Sequence, residues 1–218
     1  MRRRDWIAQC SLLGLACLGS PLAGAADARG KHSGPRRIVV LGDSLSAEYG
    51  LARGSGWVAL LEARLKEQRL AIEVVNASIS GDTSSGGRSR LPGLLKAQTP
   101  SHLIIELGGN DALRGLPLAM TRDNLRAMVQ AGKAAGARVL LVGMQMPPNY
   151  GAAYGKEFVQ LFEQVARDEK TALTPFLLAG VAERPDAESW FQPDRIHPLA
   201  KAHPLMLDNV WRALKPLL

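Results

Sequence analysis

The chain has 218 residues, 46% hydrophobic and 22% charged, and its 27 Lys and Arg against 20 Asp and Glu give a net charge of +7. That length and balance fit a single domain with a substantial core and exclude collagenous, disordered and multi-span membrane classes. Aromatic residues are only 5%, too few for a base-stacking platform, and the positive charge is scattered, so no nucleic-acid partner is expected.

The first segment stands apart. Arg2, Arg3 and Arg4 precede an apolar stretch from Trp6 to about Leu18, and Ala23-Gly24-Ala25 closes it with small residues. This order reads as a secretory signal peptide over residues 1–25, cleaved near Ala25. The apolar run is too short to span a bilayer, so no stable membrane span is expected. Both cysteines, Cys10 and Cys17, lie inside this segment, and the mature chain would hold neither thiol nor disulfide. That removes cysteine catalysis and cysteine-ligated metal. Residues 1–25 carry three Arg and one Asp, so cleavage lowers the charge from +7 by two, to +5. Residues 26–35 read as a short flexible lead, and residues 36–218 as the folded domain. A periplasmic or secreted location follows from this reading.

From residue 36 onward, strand-like and helix-like patterns alternate. Ile38-Val39-Val40-Leu41, within Arg37 to Leu41, is a continuous apolar run suited to a buried parallel strand. Trp57, Leu60, Leu61 and Leu65 recur at helical spacing. Ile72 to Val75 reads as a second strand. Asp82 to about Leu95 reads as a helix that Pro92 should kink or end. Leu103 to Ile105 is a third strand, and Leu125, Met128, Val129 and Gly132 share one helical face. Arg138 to Val142 is a fourth strand, and Phe158, Leu161, Phe162 and Val165 mark another helix. Leu173 to Leu177 is a weaker strand, interrupted by Pro175. Leu207, Val210, Trp211 and Leu214 form a closing helix. This alternation predicts an α/β fold with a parallel sheet covered on both faces. In such sheets ligands bind beyond the carboxyl ends of the strands.

Three strand ends carry unusual loops: Gly42-Asp43-Ser44-Leu45-Ser46, then Asn76 to Asp82, then Gly108-Gly109-Asn110-Asp111. A strand-end serine alone is more often a turn or cap residue, and Ser44 becomes a nucleophile only if a base takes its proton. Among four histidines, His32 lies in the lead and His102 begins a strand, at the wrong end of the sheet. His203 precedes Pro204 and is expected to face solvent or cap the last helix. His197 is the remaining base, in a proline-bounded segment with Asp194 three residues earlier. On a tight turn that spacing lets the carboxylate hold the imidazole tautomer. Asp-x-x-His alone would more often be a surface ion pair. Acyl transfer also needs donors aimed at the developing oxyanion. The backbone N–H groups of Ser44 and Gly81 and the side-chain amide of Asn110 are the candidates, although Gly81 alone is a turn and Asn110 alone a helix cap.

Taken together, Gly42-Asp43-Ser44-Leu45, Gly81, Gly108-Gly109-Asn110-Asp111 and Asp194-x-x-His197 resemble the GDSL, or SGNH, hydrolases. The likeness extends from about Arg36 to about Asp208. Within that family it lies nearer the bacterial acyl-CoA thioesterase/lysophospholipase/arylesterase branch. The resemblance implies a three-layer α/β/α sandwich like flavodoxin, with no metal and no cofactor. It implies Ser44 as nucleophile, His197 as base and Asp194 as its partner, with oxyanion donors at Ser44, Gly81 and Asn110. Asp43 and Asp111 would be mainly structural. The expected substrates are small to medium acyl esters, thioesters or lysophospholipids, acted on by a monomer. Leu113, Leu116, Met144 and Met146, with Leu118, are candidate acyl contacts, and ordinary packing would explain them as well. A carbohydrate O-acetylesterase is the alternative enzyme, and a ligand-binding flavodoxin-like module the alternative outside catalysis. In this family Gly often stands at the position of Arg195, and Gln near that of His203.

Overall fold

The computed structural model describes residues 35–218, so the signal-peptide reading, His32 and nearly all of the lead lie outside the described residues. The sheet has five parallel strands: β1 (Arg36–Gly42), β2 (Ile72–Asn76), β3 (His102–Glu106), β4 (Arg138–Val142) and β5 (Ala172–Thr174). Their order is β2-β1-β3-β4-β5, the flavodoxin-like arrangement. Helices α1 (Trp57–Glu67) and α6 (His203–Leu214) pack together on one face, and α2 (Ser84–Gln98), α4 (Leu118–Ala134) and α5 (Ala152–Asp168) pack in series on the other. The short α3 (Gly109–Leu113) leads into α4. The chain is thus the three-layer α/β/α sandwich that its sequence suggests.

Central strands are apolar on both sides because helices cover both sides. Ile38, Val40 and Leu41 of β1 and Leu103, Ile104 and Ile105 of β3 are fully buried. Each such side chain contributes about 1.5–3 kcal/mol over an exposed one. The predicted stripes face this core: Leu125, Met128, Val129 and Gly132 on α4, and Phe158, Leu161, Phe162 and Val165 on α5, are all buried. Phe158 and Phe162 meet edge to face at 5.2 Å between centroids, a geometry worth about 0.5–1.5 kcal/mol beyond the area buried.

Three local expectations change. Helix α2 starts at Ser84, with the Thr83 hydroxyl accepting from the Gly86 N–H as N-cap. It runs through Pro92 to Gln98. Pro92 is exposed, so the Arg88 carbonyl left without its helical donor can be hydrated. Strand β5 stops at Thr174 rather than Leu177, because Pro175 has no N–H to continue the ladder.

His203 is neither in solvent nor a cap of its own helix. It is buried, and its Nδ1 accepts the Trp57 N–H at 2.9 Å. That N–H is one of the orphan donors at the start of α1, so His203 ties α6 to α1. Burial pulls its pKa below the ordinary 6.5, against the pull of the Pro198 backbone and of Glu48. A lowered histidine keeps its stabilising effect above its unfolded value, and the effect is lost as pH falls through the lower folded value. His203→Ala is therefore expected to cost about 1–3 kcal/mol near neutral pH and to flatten the acid loss of stability below pH 6.5. Urea unfolding of both proteins across that range checks it; equal stability throughout would refute the role given to His203.

Candidate active site

Strand order reverses at β1, which has β2 on one side and β3 on the other. The crevice beyond their carboxyl ends is where an open α/β sheet binds ligands. Ser44 sits one residue past Asp43 on a tight turn, where the Ser46 and Ala47 N–H groups donate to the Asp43 carbonyl at 3.2 and 2.9 Å. Only glycine fits at the strand end before it. A Cβ on Gly42 would lie 2.8 Å from the Ser46 Cβ and 2.9 Å from Glu106 Oε2.

The proline-bounded segment brings its imidazole to this serine. His197 Nε2 lies 2.8 Å from Ser44 Oγ, and His197 Nδ1 lies 2.7 Å from Asp194 Oδ2. The other carboxylate oxygen, Asp194 Oδ1, accepts the N–H groups of Ile196 and His197 at 2.9 and 3.0 Å. Burial would raise the Asp194 pKa, but these N–H groups and the His197 ring outweigh it and hold the carboxyl at about 2. A carboxylate fixed at both oxygens and facing Nδ1 places the imidazole lone pair at Nε2, toward the serine. The Tyr49 ring lies against the His197 ring, centroids 4.3 Å apart.

The three candidate donors converge only in part. Residues after β2 run beside the end of β1, with Ala77 N–H to Val40 O at 2.8 Å and Ile79 N–H to Gly42 O at 3.0 Å. This brings Gly81 to the crevice in a left-handed conformation, φ +78°, which glycine adopts without strain. Among the described residues, the N–H groups of Ser44 and Gly81 donate to no protein acceptor. The Asn110 amide, the third candidate donor, already has partners in the structure. Its Nδ2 donates to Asp43 Oδ2 at 3.0 Å and to the Asp82 carbonyl at 2.9 Å. Both N–H groups are engaged, so the amide reaches an oxyanion only by sharing one of these bonds. Asp111 is structural: its carboxylate accepts the Ser84 N–H at 2.8 Å at the start of α2 and also holds Ser84 Oγ.

Beneath Ser44 lie two buried carboxyl groups. Asp43 accepts the Leu45 N–H at 3.0 Å beside its bond from Asn110. Burial raises its pKa to about 6, opposed by the Leu45 N–H, the Glu106 side chain, His197 and Asn110. Glu106, at the end of β3, is fully buried. Burial and the neighbouring Asp43 charge push its pKa well above the ordinary carboxyl value.

A cavity of about 530 Å³ opens beside Ser44, of ordinary size for a small-molecule site. Leu113, Met144 and Met146 line it, as the sequence suggested, but Leu116 does not. Leu116 belongs to the turn after α3, where its N–H bonds the Asp111 carbonyl. The cavity adds Leu45, Phe176, Leu178, Phe191 and Ile196, and its titratable lining is Asp43, Glu183, Glu188, Arg195 and His197. Phe176 and Leu178 follow β5, so the rule that points to strand ends would have found them had Pro175 not blurred where that strand stops. Arg195 adopts φ +59°, which explains glycine's frequency there: a side chain in this conformation costs about 1–2 kcal/mol. Among the described residues, no cluster of three or more His, Cys, Asp or Glu could hold a metal ion.

Residues 40–205 match the model of the GDSL-like Lipase/Acylhydrolase family. The chain belongs to this family. Esterase TesA of Pseudomonas aeruginosa is 50% identical over 188 residues, covering 86% of this chain and 92% of that protein. Thioesterase 1/protease 1/lysophospholipase L1 of Escherichia coli K12 is 41% identical over 180 residues, covering 83% of this chain and 84% of that protein. The crystal structure of TesA superposes with a TM-score of 0.81 at 51% identity, covering 84% of this chain and all of that one. Membership makes this chain a GDSL-like lipase or acylhydrolase, and leaves the roles of its individual side chains to be argued from geometry.

Proposed function

We propose that the chain hydrolyses carboxylic esters and thioesters through an acyl-enzyme on Ser44. The observation that carries this reading is the continuous Asp194–His197–Ser44 chain, 2.7 and 2.8 Å per link, beside an apolar cavity. His197 Nε2 takes the Ser44 proton as Oγ attacks the carbonyl carbon. The carbonyl electron pair moves onto oxygen, facing the N–H groups of Ser44 and Gly81 and a shared N–H of Asn110. Collapse expels the alcohol or thiol, which receives the proton from His197. Water then attacks the acyl-enzyme, with His197 again as base, and releases the acid. Asp194 stabilises the imidazolium that forms twice in each cycle.

The apolar lining by Met144, Met146, Phe176 and Leu178 favours an acyl chain over an acetylated sugar. Acyl lipids and acyl thioesters are the proposed substrate class. The signal-like residues 1–25 and the bacterial origin of the relatives support a periplasmic or secreted site of action. A panel of p-nitrophenyl esters and acyl thioesters, run beside acetylated xylo-oligosaccharides, tests the substrate class. A preference for medium acyl chains is expected; a preference for the acetylated sugar would overturn it. Labelling with an alkyl fluorophosphonate and peptide mass mapping tests the acyl-enzyme, and the adduct should sit on Ser44 alone.

The shared Asn110 amide has its own expected result. Asn110→Ala should lower kcat by roughly a hundredfold or more while changing KM little. Steady-state kinetics on one p-nitrophenyl ester checks this. Because Asn110 also holds Asp43, the variant's unfolding midpoint must be measured beside its rate. A full-rate variant would remove Asn110 from the oxyanion site.

A further inference from the structure

The acyl-transfer chemistry above makes no use of Glu106, yet this is a fully buried carboxyl group directly beneath the nucleophile's turn. One of its oxygens, Oε2, accepts two bonds: from Ser46 Oγ at 2.7 Å and from the Asp43 N–H at 3.3 Å. Those two residues bracket Ser44 by one position before and two after. A single carboxyl oxygen therefore spans the turn that presents the serine. The other oxygen, Oε1, is buried with no partner, while the Asp43 carboxyl stands within side-chain hydrogen-bonding reach.

Charge decides what Oε1 carries. Among the described residues no Lys, Arg or His forms an ion pair with Glu106. Its charged neighbours are engaged elsewhere. Arg90 of α2 pairs with Asp82 at 2.8 Å and donates to the Ala77 carbonyl and, at 3.3 Å, to the Gly42 carbonyl. His197 acts on Asp43 and is bonded to Asp194 and Ser44. Asp111 of α3 is held by Ser84 and Thr121. From β1 the facing titratable group is Asp43. Two adjacent buried carboxylates with no cation cannot both be ionised without a large penalty. Asp43 has donors on both oxygens, Leu45 N–H and Asn110 Nδ2, whereas Glu106 Oε1 has none. The proton belongs on Glu106, whose Oε1 is the oxygen left without a donor and whose side chain is in reach of the Asp43 carboxyl.

We propose that Glu106 and Asp43 hold one buried proton between them, carried on Glu106, and that Glu106 is a positioning residue that fixes the Ser44 turn in its neutral form. This deepens the acyl-enzyme reading and rests on it for its kinetic effects, but the proton itself can be observed without turnover. The protonated carboxyl removes one negative charge from beneath the place where the oxyanion forms. It also closes the hydrogen-bond set that links Ser46, Asp43 and Asn110.

Glutamine has the shape of the protonated acid, with an N–H where Oε1–H would be. Leucine fills space and offers no acceptor. Glu106→Gln is expected to keep kcat within about threefold of wild type. Glu106→Leu is expected to lose roughly ten- to a hundredfold in kcat with a smaller change in KM. A group whose folded pKa is raised stabilises fully below its unfolded value, and that effect is lost as pH rises through the folded value. The unfolding midpoint of wild type should therefore fall relative to that of Glu106→Gln as pH rises above the ordinary carboxyl range.

Infrared spectroscopy supplies the readout that needs neither turnover nor a folded leucine variant. The wild-type minus Glu106→Gln difference spectrum at neutral pH should contain the carbonyl stretch of a protonated carboxyl. Absence of that band overturns the proposal, whatever the rates. So does a glutamine variant as slow as the leucine one, which would mean that the charge itself is needed. Midpoints for wild type and Glu106→Gln that stay parallel from the ordinary carboxyl range upward overturn it as well. If no ester is hydrolysed by the wild type, the function fails while the infrared and midpoint results still decide the proton.

Discussion

Ser44→Ala is expected to lower kcat for a p-nitrophenyl ester by roughly 10⁴- to 10⁶-fold, with the fold intact. The Ser44 hydroxyl makes one side-chain bond, to His197 Nε2 at 2.8 Å. Its removal takes away the proposed acyl acceptor and leaves no new buried polar group. The stability change should therefore stay within about 0.5 kcal/mol, as for a surface substitution. Residual rate would come from the oxyanion donors acting on water. Titrating activity against fluorophosphonate before the assay excludes contamination by wild type. A variant within tenfold of wild type would sink the acyl-enzyme on Ser44.

The second large effect belongs to Asp194→Asn, for which roughly a hundred- to ten-thousandfold loss in kcat is expected. The reason lies in how its two oxygens are used. Oδ1 accepts the Ile196 and His197 N–H groups and Oδ2 faces His197 Nδ1. An asparagine that keeps Oδ1 on the backbone must present its NH₂ to Nδ1. That nitrogen then has to accept, the ring proton moves to Nε2, and Nε2 can no longer take the proton of Ser44. Asp194→Ala leaves the tautomer free and should be no slower than Asn. The ordering of the two variants thus separates tautomer control from mere loss of charge. The carboxyl is held at about 2, so it stays ionised over any practical assay range, and its own titration does not shape the acid limb. A fully active Asn variant would refute the role.

The strands that frame the site were the easiest part to read from sequence. Ile38 to Leu41 and Leu103 to Ile105 are unbroken apolar runs because both faces of a parallel sheet are covered, and nothing competes with that pattern. The residues of the candidate site stand out in the sequence for a related reason. Ser44, Gly81 and Asn110 follow successive strands, and Asp194 and His197 come as one local unit. What the sequence could not show is who bonds whom across distance. His203 looked polar and peripheral beside Pro204, yet its acceptor role toward Trp57 spans 146 positions. No local pattern around Asn110 reveals that Asp43 and Asp82 accept from its amide. Glu106 falls just past the third strand as read from sequence, and nothing local shows that it is buried against the turn that follows β1. Leu116 was chosen for being apolar and near a motif, and a turn carried it away from the cavity.

Ser44 and His197 are separated by 153 positions in the chain, and the link between them closes only when the last segment docks. The ties that secure that docking include the Arg36 guanidinium to the Leu218 carbonyl, His102 Nε2 with the Leu217 carbonyl at 2.9 Å, Gln192 Nε2 to the Tyr49 carbonyl at 2.9 Å, and His203 to Trp57. A chain still being synthesised, or threaded unfolded through a membrane, presents its serine long before its imidazole has a place to sit. On the proposed mechanism such a chain would have no base to activate its serine, and hydrolysis would wait for the last segment to dock.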